Sequence, residues 1–346
     1  MNAKIKSAKT LLVRCPNWVG DIVMATPVYD CLRENFPSAR IFACIRKYAR
    51  GIIEDGPWFD GIISCNDKDF HGFFRTVKEI RKIMPDVAVL LPNSTRSFLT
   101  AKTGGARFIF GYRRNTRKFF MSGGPEPIVT GGKIKPIPMI HYYLEICRHM
   151  GLSVSEVPKP RLYISSGMRK RGNRTLRAYG VSRGDRLIGL NPGASFGSSK
   201  CWPPENFAKL SEIIQKEFDC KIILFAGPGE EKIARAIIEK SRAKIIDTSL
   251  DNIDLAHLKP LIDRCDLLIT NDTGPRHYAV AFDVPVVVLM GPTDPRYTNA
   301  NLERTIIIRE EISCAPCHKK TCPADHRCMR NITPERVLDA VGRLLK

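Results

Sequence analysis

Short, wholly apolar runs alternate with amphipathic stretches along this chain, and the pattern occurs twice. In the first half the apolar runs are 11–14, 41–45, 61–64, 87–91 and 108–111, with helix-like stretches such as 22–35 and 73–84 between them. In the second half they are 187–191, 222–226, 244–247, 267–270 and 286–290, separated by 204–218, 230–241 and 255–264. A strand that is apolar on both sides must be covered on both faces, which is the signature of a parallel sheet crossed by helices. Two such series imply two α/β domains, each a Rossmann-like parallel sheet. The length agrees: 346 residues exceed the roughly 250–300 that one core supports.

The first domain is expected over 1–165 and the second over 187–332. A linker is expected at 166–186, after Pro158 and Pro160, carrying Arg169-Lys170-Arg171-Gly172 and a helix at 168–179. A final helix should occupy 333–346, with Thr333 as N-cap and Pro334 at its first position. No apolar run approaches the ~18 residues of a membrane span. The basic N-terminus lacks the apolar core of a signal peptide, so a cytoplasmic protein is expected.

Lys and Arg exceed Asp and Glu by 20, which favours anionic partners. The excess is uneven. Residues 87–125 contain no acid but include Arg96, Lys102, Arg107, Arg113, Arg114, Arg117 and Lys118, interleaved with aromatic side chains. This stretch reads either as a solvated basic face or as a surface for an anionic acceptor or a headgroup layer. Nucleic acid is not expected as a partner, since no recognition-helix, zinc-finger or RNP-type motif is present.

Ligands of open parallel sheets bind beyond the carboxyl ends of the strands, and four loops there carry chemistry. After the first run comes Cys15-Pro16-Asn17-Trp18-Val19-Gly20-Asp21. Asp21 suits either a helix N-cap or a carboxylate that takes a proton from a sugar hydroxyl. In the second half, Asn191-Pro192-Gly193-Ala194-Ser195 leads to Lys200, where small residues, donors and a cation suit a diphosphate. Gly227-Pro228-Gly229-Glu230-Glu231 places acids where ribose hydroxyls are held, or where a helix start favours them. Asn271-Asp272-Thr273-Gly274-Pro275-Arg276-His277 ends a strand and opens a helix, an arrangement that holds phosphate. Neither G-x-G-x-x-G nor a P-loop occurs, so a dinucleotide dehydrogenase or P-loop hydrolase is not expected.

Twelve cysteines in such a chain do not suggest a disulfide framework. Cys314, Cys317, Cys322 and Cys328 cluster near the C-terminus. They read as a structural metal site, zinc or similar, or as reduced thiols packing a loop.

Three tracts together resemble the ADP-heptose:lipopolysaccharide heptosyltransferases of glycosyltransferase family nine. They are Cys15 to Asp21; Asn191-Pro192-Gly193-Ala194 with Lys200-Cys201-Trp202-Pro203; and Asn271 to His277. The Pro16-Asn17-Trp18-Val19-Gly20-Asp21 form and Gly291-Pro292-Thr293 look most like the type II branch. The resemblance implies a GT-B fold, two Rossmann-like domains facing a central cleft. It implies inverting transfer of L-glycero-D-manno-heptose from ADP-heptose to the heptosyl-Kdo2-lipid A inner core of lipopolysaccharide, with no cofactor or catalytic metal. The enzyme would work at the cytoplasmic face of the inner membrane, in peripheral contact with it. Asp21 would be the general base and Lys200 would stabilise the departing ADP. Asn191, Gly193, Ala194, Ser195, Glu230, Asp272, Thr273, Gly274 and His277 would line the donor site. Glu230 is preferred over Glu231 for ribose. Arg96, Arg113, Arg114, Arg117 and Lys118 would face acceptor or membrane. A relative acting on another acceptor (heptosyltransferase I or III) and a sugar-nucleotide epimerase of the same architecture are the alternatives.

Overall fold

A computed structural model describes residues 3–66, 69–114 and 116–346; residues 1 and 2, at the head of the basic N-terminal stretch, lie outside it. The chain divides into two units, Met1–Tyr163 with Arg296–Thr298, and Ile164–Pro295 with Asn299–Lys346.

The first unit is built on strands β1 (Thr10–Arg14), β2 (Arg40–Arg46), β3 (Gly61–Cys65), β4 (Val87–Leu90) and β5 (Phe108–Gly111). All pair in parallel in the order β3-β2-β1-β4-β5. A small antiparallel hairpin, β6 (Val129–Thr130) and β7 (Lys133–Ile134), follows. The second unit carries β8 (Leu187–Asn191), β9 (Lys221–Leu224), β10 (Ile245–Asp247), β11 (Leu267–Asn271), β12 (Val286–Leu289) and β13 (Thr305–Ile308). These too are parallel, in the order β10-β9-β8-β11-β12-β13. In each sheet the order reverses beside the first strand, between β1 and β4 and between β8 and β11. Loops on either side of such a reversal diverge and leave a crevice for ligand. The central strands β1, β4, β8, β11 and β12 are buried at every position, as their unbroken apolar runs require.

Four features differ from the sequence reading. The stretch 22–35 is not one helix but two, Val19–Met24 and Thr26–Asn35. Pro27 has no N–H for the carbonyl of Val23, and the Thr26 hydroxyl donates to that carbonyl instead at 2.8 Å. The span 166–186, read as a linker, belongs to the second unit. Its helix Ser166–Ala178 is capped by Ser165 and lies so close to Pro260 that a Cβ on Gly172 would fall 2.6 Å from the Pro260 ring. The closing helix Pro334–Leu345 packs Val337, Ala340 and Val341 into the same apolar cluster as Phe207, Leu210 and Ile214, within the second unit rather than beside it. β13 is an additional edge strand that the sequence pattern does not single out.

Candidate active site

In the second unit the loops after β8 and β11 are tied to one another by buried amides. Asn271, at the end of β11, donates to the Pro192 carbonyl at 2.6 Å and accepts from the Trp202 backbone N–H at 3.1 Å. Asn191, at the end of β8, donates to Thr270 Oγ1 at 3.1 Å. Its side chain therefore joins the two strands flanking the crevice. Trp202 is wholly buried and its indole donates to the Ile332 carbonyl at 2.8 Å. Truncating a buried Trp costs roughly 3–5 kcal/mol, so the chain just beyond Lys200 is anchored firmly in the core.

On this frame three charges meet. Lys200 Nζ donates to both the carbonyl and Oδ2 of Asp272 at 2.8 Å. Arg276 Nη1 donates to Asp272 Oδ1 at 2.7 Å, and Thr293 Oγ1 donates to Oδ2 at 2.6 Å. Burial by itself would raise the Asp272 pKa, but the Arg276 guanidinium and the Lys200 ammonium hold this carboxyl well below the usual carboxylate range. One carboxylate thus accepts from two cations and a hydroxyl. Thr273, Gly274 and Pro275 stand partly exposed at the start of helix Gly274–Ala281, where the N–H groups of the first turn and the helix dipole favour an anion. The cluster and the helix end both lie at the β8/β11 reversal.

His277 is buried beside this cluster. Desolvation, with the nearby Arg276 charge, pushes its pKa down to about 3. The ring is therefore neutral at physiological pH. Its folded pKa lies below the ordinary 6.5, so its contribution to stability is present above pH 6.5 and lost as pH falls toward 3. Between pH 6.5 and 4.5 the wild-type protein should lose stability faster than His277→Asn, by up to about 1.4 kcal/mol per pH unit. Parallel curves of melting temperature against pH for the two proteins would remove the assignment.

Glu230 sits just before helix Glu231–Lys240. Its Oε2 accepts from the Gly227 N–H at 2.8 Å, and burial raises its pKa. A Cβ at Gly193 would lie 1.9 Å from the Glu230 carboxyl carbon, so glycine there lets the acid reach the β8 loop. Glu231 instead folds back on its own turn, accepting from the Gly229 N–H at 3.0 Å, which lowers its pKa. Ala194 is half-buried and Ser195 exposed on the β8 loop.

In the first unit Asp21 occupies the third position of helix Val19–Met24, so it is not the N-cap; Trp18 holds that place and makes no side-chain cap. The Asp21 carboxylate is half-buried and accepts from the Tyr143 hydroxyl at 2.9 Å. Burial and the adjacent Asp21 charge push the Tyr143 phenol well up, so it stays a donor. The side chain stands beyond the carboxyl end of β1, beside the β1/β4 reversal.

The basic stretch divides. Arg96 and Lys118 are exposed, and Arg113 and Arg114 are half-buried. Arg117, expected to face acceptor or membrane, is only 1% exposed. Its guanidinium donates to the carbonyls of Pro92 and Tyr112 at 2.8 and 2.7 Å and to Asn93 Oδ1 at 3.1 Å. Through these bonds Arg117 ties the β4 and β5 loops together.

Cys328 is buried, Cys317 and Cys322 are half-buried, Cys314 is exposed, and none is bridged. Among the described residues no group of three or more His, Cys, Asp or Glu side chains is gathered to hold a metal ion. The segment instead packs its backbone on the Lys200 loop. Ser199 N–H donates to the Lys320 carbonyl at 3.0 Å, and His326 Nε2 lies 2.8 Å from the Ser199 carbonyl.

Tyr143, Arg276 and Thr293 are the site residues that the sequence did not assign. Arg276 and Thr293 lie inside quoted tracts. Tyr143 comes from helix Met139–His149, far along the chain from Asp21, and no local pattern marks it.

The family profile described as Glycosyltransferase family 9 (heptosyltransferase) matches residues 73–327. A lipooligosaccharide heptosyltransferase 2 of Campylobacter jejuni subsp. jejuni is 26% identical over 340 residues, 97% of this chain and 98% of that relative. The structure of a glycosyl transferase family 9 protein from Veillonella parvula superposes with TM-score 0.84 at 23% identity, over 97% of both chains. That of E. coli ADP-heptose LPS heptosyltransferase II gives 0.80 at 24% identity, over 97% of this chain and 98% of the other. These structures share the GT-B class of fold, and the sequence match spans well over half of the chain, which therefore belongs to glycosyltransferase family 9, the heptosyltransferases.

Proposed function

We propose that this glycosyltransferase moves L-glycero-D-manno-heptose from ADP-heptose to the heptosyl-Kdo2-lipid A inner core of lipopolysaccharide, the heptosyltransferase II reaction, with inversion at the anomeric carbon. The observation that carries the reading is the Lys200–Asp272–Arg276 cluster beside the partly exposed start of helix Gly274–Ala281. This is a largely buried receptacle, carrying two cations, at the point of the sheet where an anionic ligand is received. It suits the diphosphate of a sugar nucleotide. The names of the full-length relatives point to heptose as the sugar and to the type II acceptor.

Inverting transfer needs a base for the attacking hydroxyl and a sink for the charge that develops on the leaving group. Asp21, oriented by Tyr143, supplies the first. Lys200 and the N–H groups of Thr273 and Gly274 supply the second. Glu230, half-buried against Gly193, receives the ribose hydroxyls. This division of work assigns a protein cation and a helix terminus to the leaving diphosphate, and the reaction runs without a cofactor. Among the described residues no helix is long and apolar enough to cross a membrane. A peripheral enzyme at the cytoplasmic face of the inner membrane, drawn there by its lipid acceptor, fits the exposed cations Arg96 and Lys118.

The test is incubation with ADP-heptose, with and without the inner-core acceptor. The expected result is acceptor heavier by one heptose and ADP released in step with it. Sugar released or isomerised at the same rate without acceptor would assign the protein to epimerase-type chemistry. Transfer only to an acceptor lacking the first heptose, or already carrying the second, would move it to another branch of the family.

A further inference from the structure

After β5 the chain makes a short helical turn, Thr116–Phe119, and then returns to pair Gly123 with Phe110. The Arg113 N–H donates to the Pro125 carbonyl at 2.8 Å, and Arg113 is paired with Glu126 at 3.7 Å. From this fixed root the β6–β7 hairpin departs. Its two-residue loop is Gly131-Gly132, with φ of 58° and 73°, the paired positive angles of a tight hairpin turn.

Every residue from Ile128 to Lys135 is exposed. Ile128 and Val129 are 59% and 60% accessible, and a Cβ on Gly131 or Gly132 would meet no atom within 4 Å. Val129 pairs with Ile134, so these two apolar side chains share one face. Thr130 pairs with Lys133, and the Lys135 N–H donates to the Ile128 carbonyl at 2.8 Å, so both lysines lie on the other face. At the end of the helical turn Thr116–Phe119, Phe119 and the following Phe120 are 73% and 69% exposed, with Lys118 Nζ 5.0 Å from the Phe119 ring centroid. An isolated two-stranded hairpin is marginal in water. One that exposes its apolar side chains beside lysines matches a surface that is anionic outside and apolar beneath.

We propose that the 128–135 hairpin, with Phe119 and Phe120, is the element by which the first unit docks on an anionic lipid bilayer. Val129 and Ile134 enter the acyl boundary, and Lys118, Lys133 and Lys135 meet the headgroups. The proposal rests on the reading of the acceptor as a membrane-anchored glycolipid, and it assigns a specific surface to that contact.

The experiment is co-sedimentation of the full chain with vesicles of phosphatidylcholine alone and of phosphatidylcholine with phosphatidylglycerol, free of any glycolipid. Wild type should bind the anionic vesicles. Ile128→Ser/Val129→Ser/Ile134→Ser should bind at least tenfold more weakly, and Lys133→Ser/Lys135→Ser should lose the preference for anionic lipid. Both variants should transfer heptose to a deacylated, water-soluble acceptor at the wild-type rate. Unchanged vesicle binding by the serine variant, or no binding by wild type, overturns the proposal. So does loss of transfer to the soluble acceptor, which would make the hairpin part of the sugar site. Loss of self-association with vesicle binding intact would make it a contact between copies and likewise overturn it. Hairpin-dependent vesicle binding by a wild type that transfers nothing supports the surface and refutes the transferase reading separately.

Discussion

Replacing Asp21 by asparagine should lower kcat for heptose transfer by about a thousandfold, within the 10²–10⁴ range of a lost general base. ADP affinity should stay within about twofold. The two readouts separate because Asp21 belongs to the β1 loop of the first unit, whereas the receptacle proposed for ADP belongs entirely to the second. Asparagine keeps the size and can still accept the Tyr143 hydroxyl bond seen at 2.9 Å, so the fold should survive. What it lacks is the capacity to take a proton. Tyr143→Phe should produce a smaller loss, about tenfold, because it removes one bond that orients the carboxylate without removing its charge; a hydrogen bond to a charged group contributes roughly 1.5–3 kcal/mol. A proportional fall in ADP binding and turnover for Asp21→Asn would show that the residue supports the protein rather than the chemistry.

The order of these effects also bears on what the sequence could convey. The parallel sheets were legible because a strand buried on both faces has to be continuously apolar, and Leu187 to Asn191 or Val87 to Leu90 cannot be much else. The four loops were legible because small residues and charges immediately after such strands have few other uses. What stayed hidden is what depends on distance in the chain. Tyr143 reaches Asp21 from a helix whose pattern shows only an apolar face. Arg117 reads as one more cation in an acid-free stretch. Only the fold reveals that its guanidinium is buried between the carbonyls of Pro92 and Tyr112. The Pro27 break was present in the sequence, but helix-like periodicity across 22–35 outweighed it. The spacing of the four cysteines suggests ligands, and what the structure adds is that the surrounding backbone braces the Lys200 loop.

Lys200→Met should reduce kcat by about 10²–10³, the usual loss when a group that stabilises developing charge is removed, while leaving the KM for acceptor near its wild-type value. Asp272 Oδ1 is held by Arg276 and its Oδ2 by Lys200 and Thr293. Arg276 is fully buried and stays on Asp272 whether or not Lys200 is engaged. The lysine is held in place by the carboxylate but is not the only cation on it. It can swing toward, or share itself with, an arriving diphosphate at little cost. Methionine fills the same space, leaves the Asp272–Arg276 pair intact and removes only the lysine charge. Asp272→Asn attacks the same cluster from the other side. It removes the carboxylate that Arg276 and Lys200 share in a buried site and should cost about 3–5 kcal/mol of stability, as breaking a buried ion pair does. Its melting temperature should fall well below that of Lys200→Met, although both lose activity. If Lys200→Met instead turned over donor within threefold of wild type, the positive charge would have no part in the departure of ADP, and the helix N-terminus at Thr273 and Gly274 would have to carry that work alone.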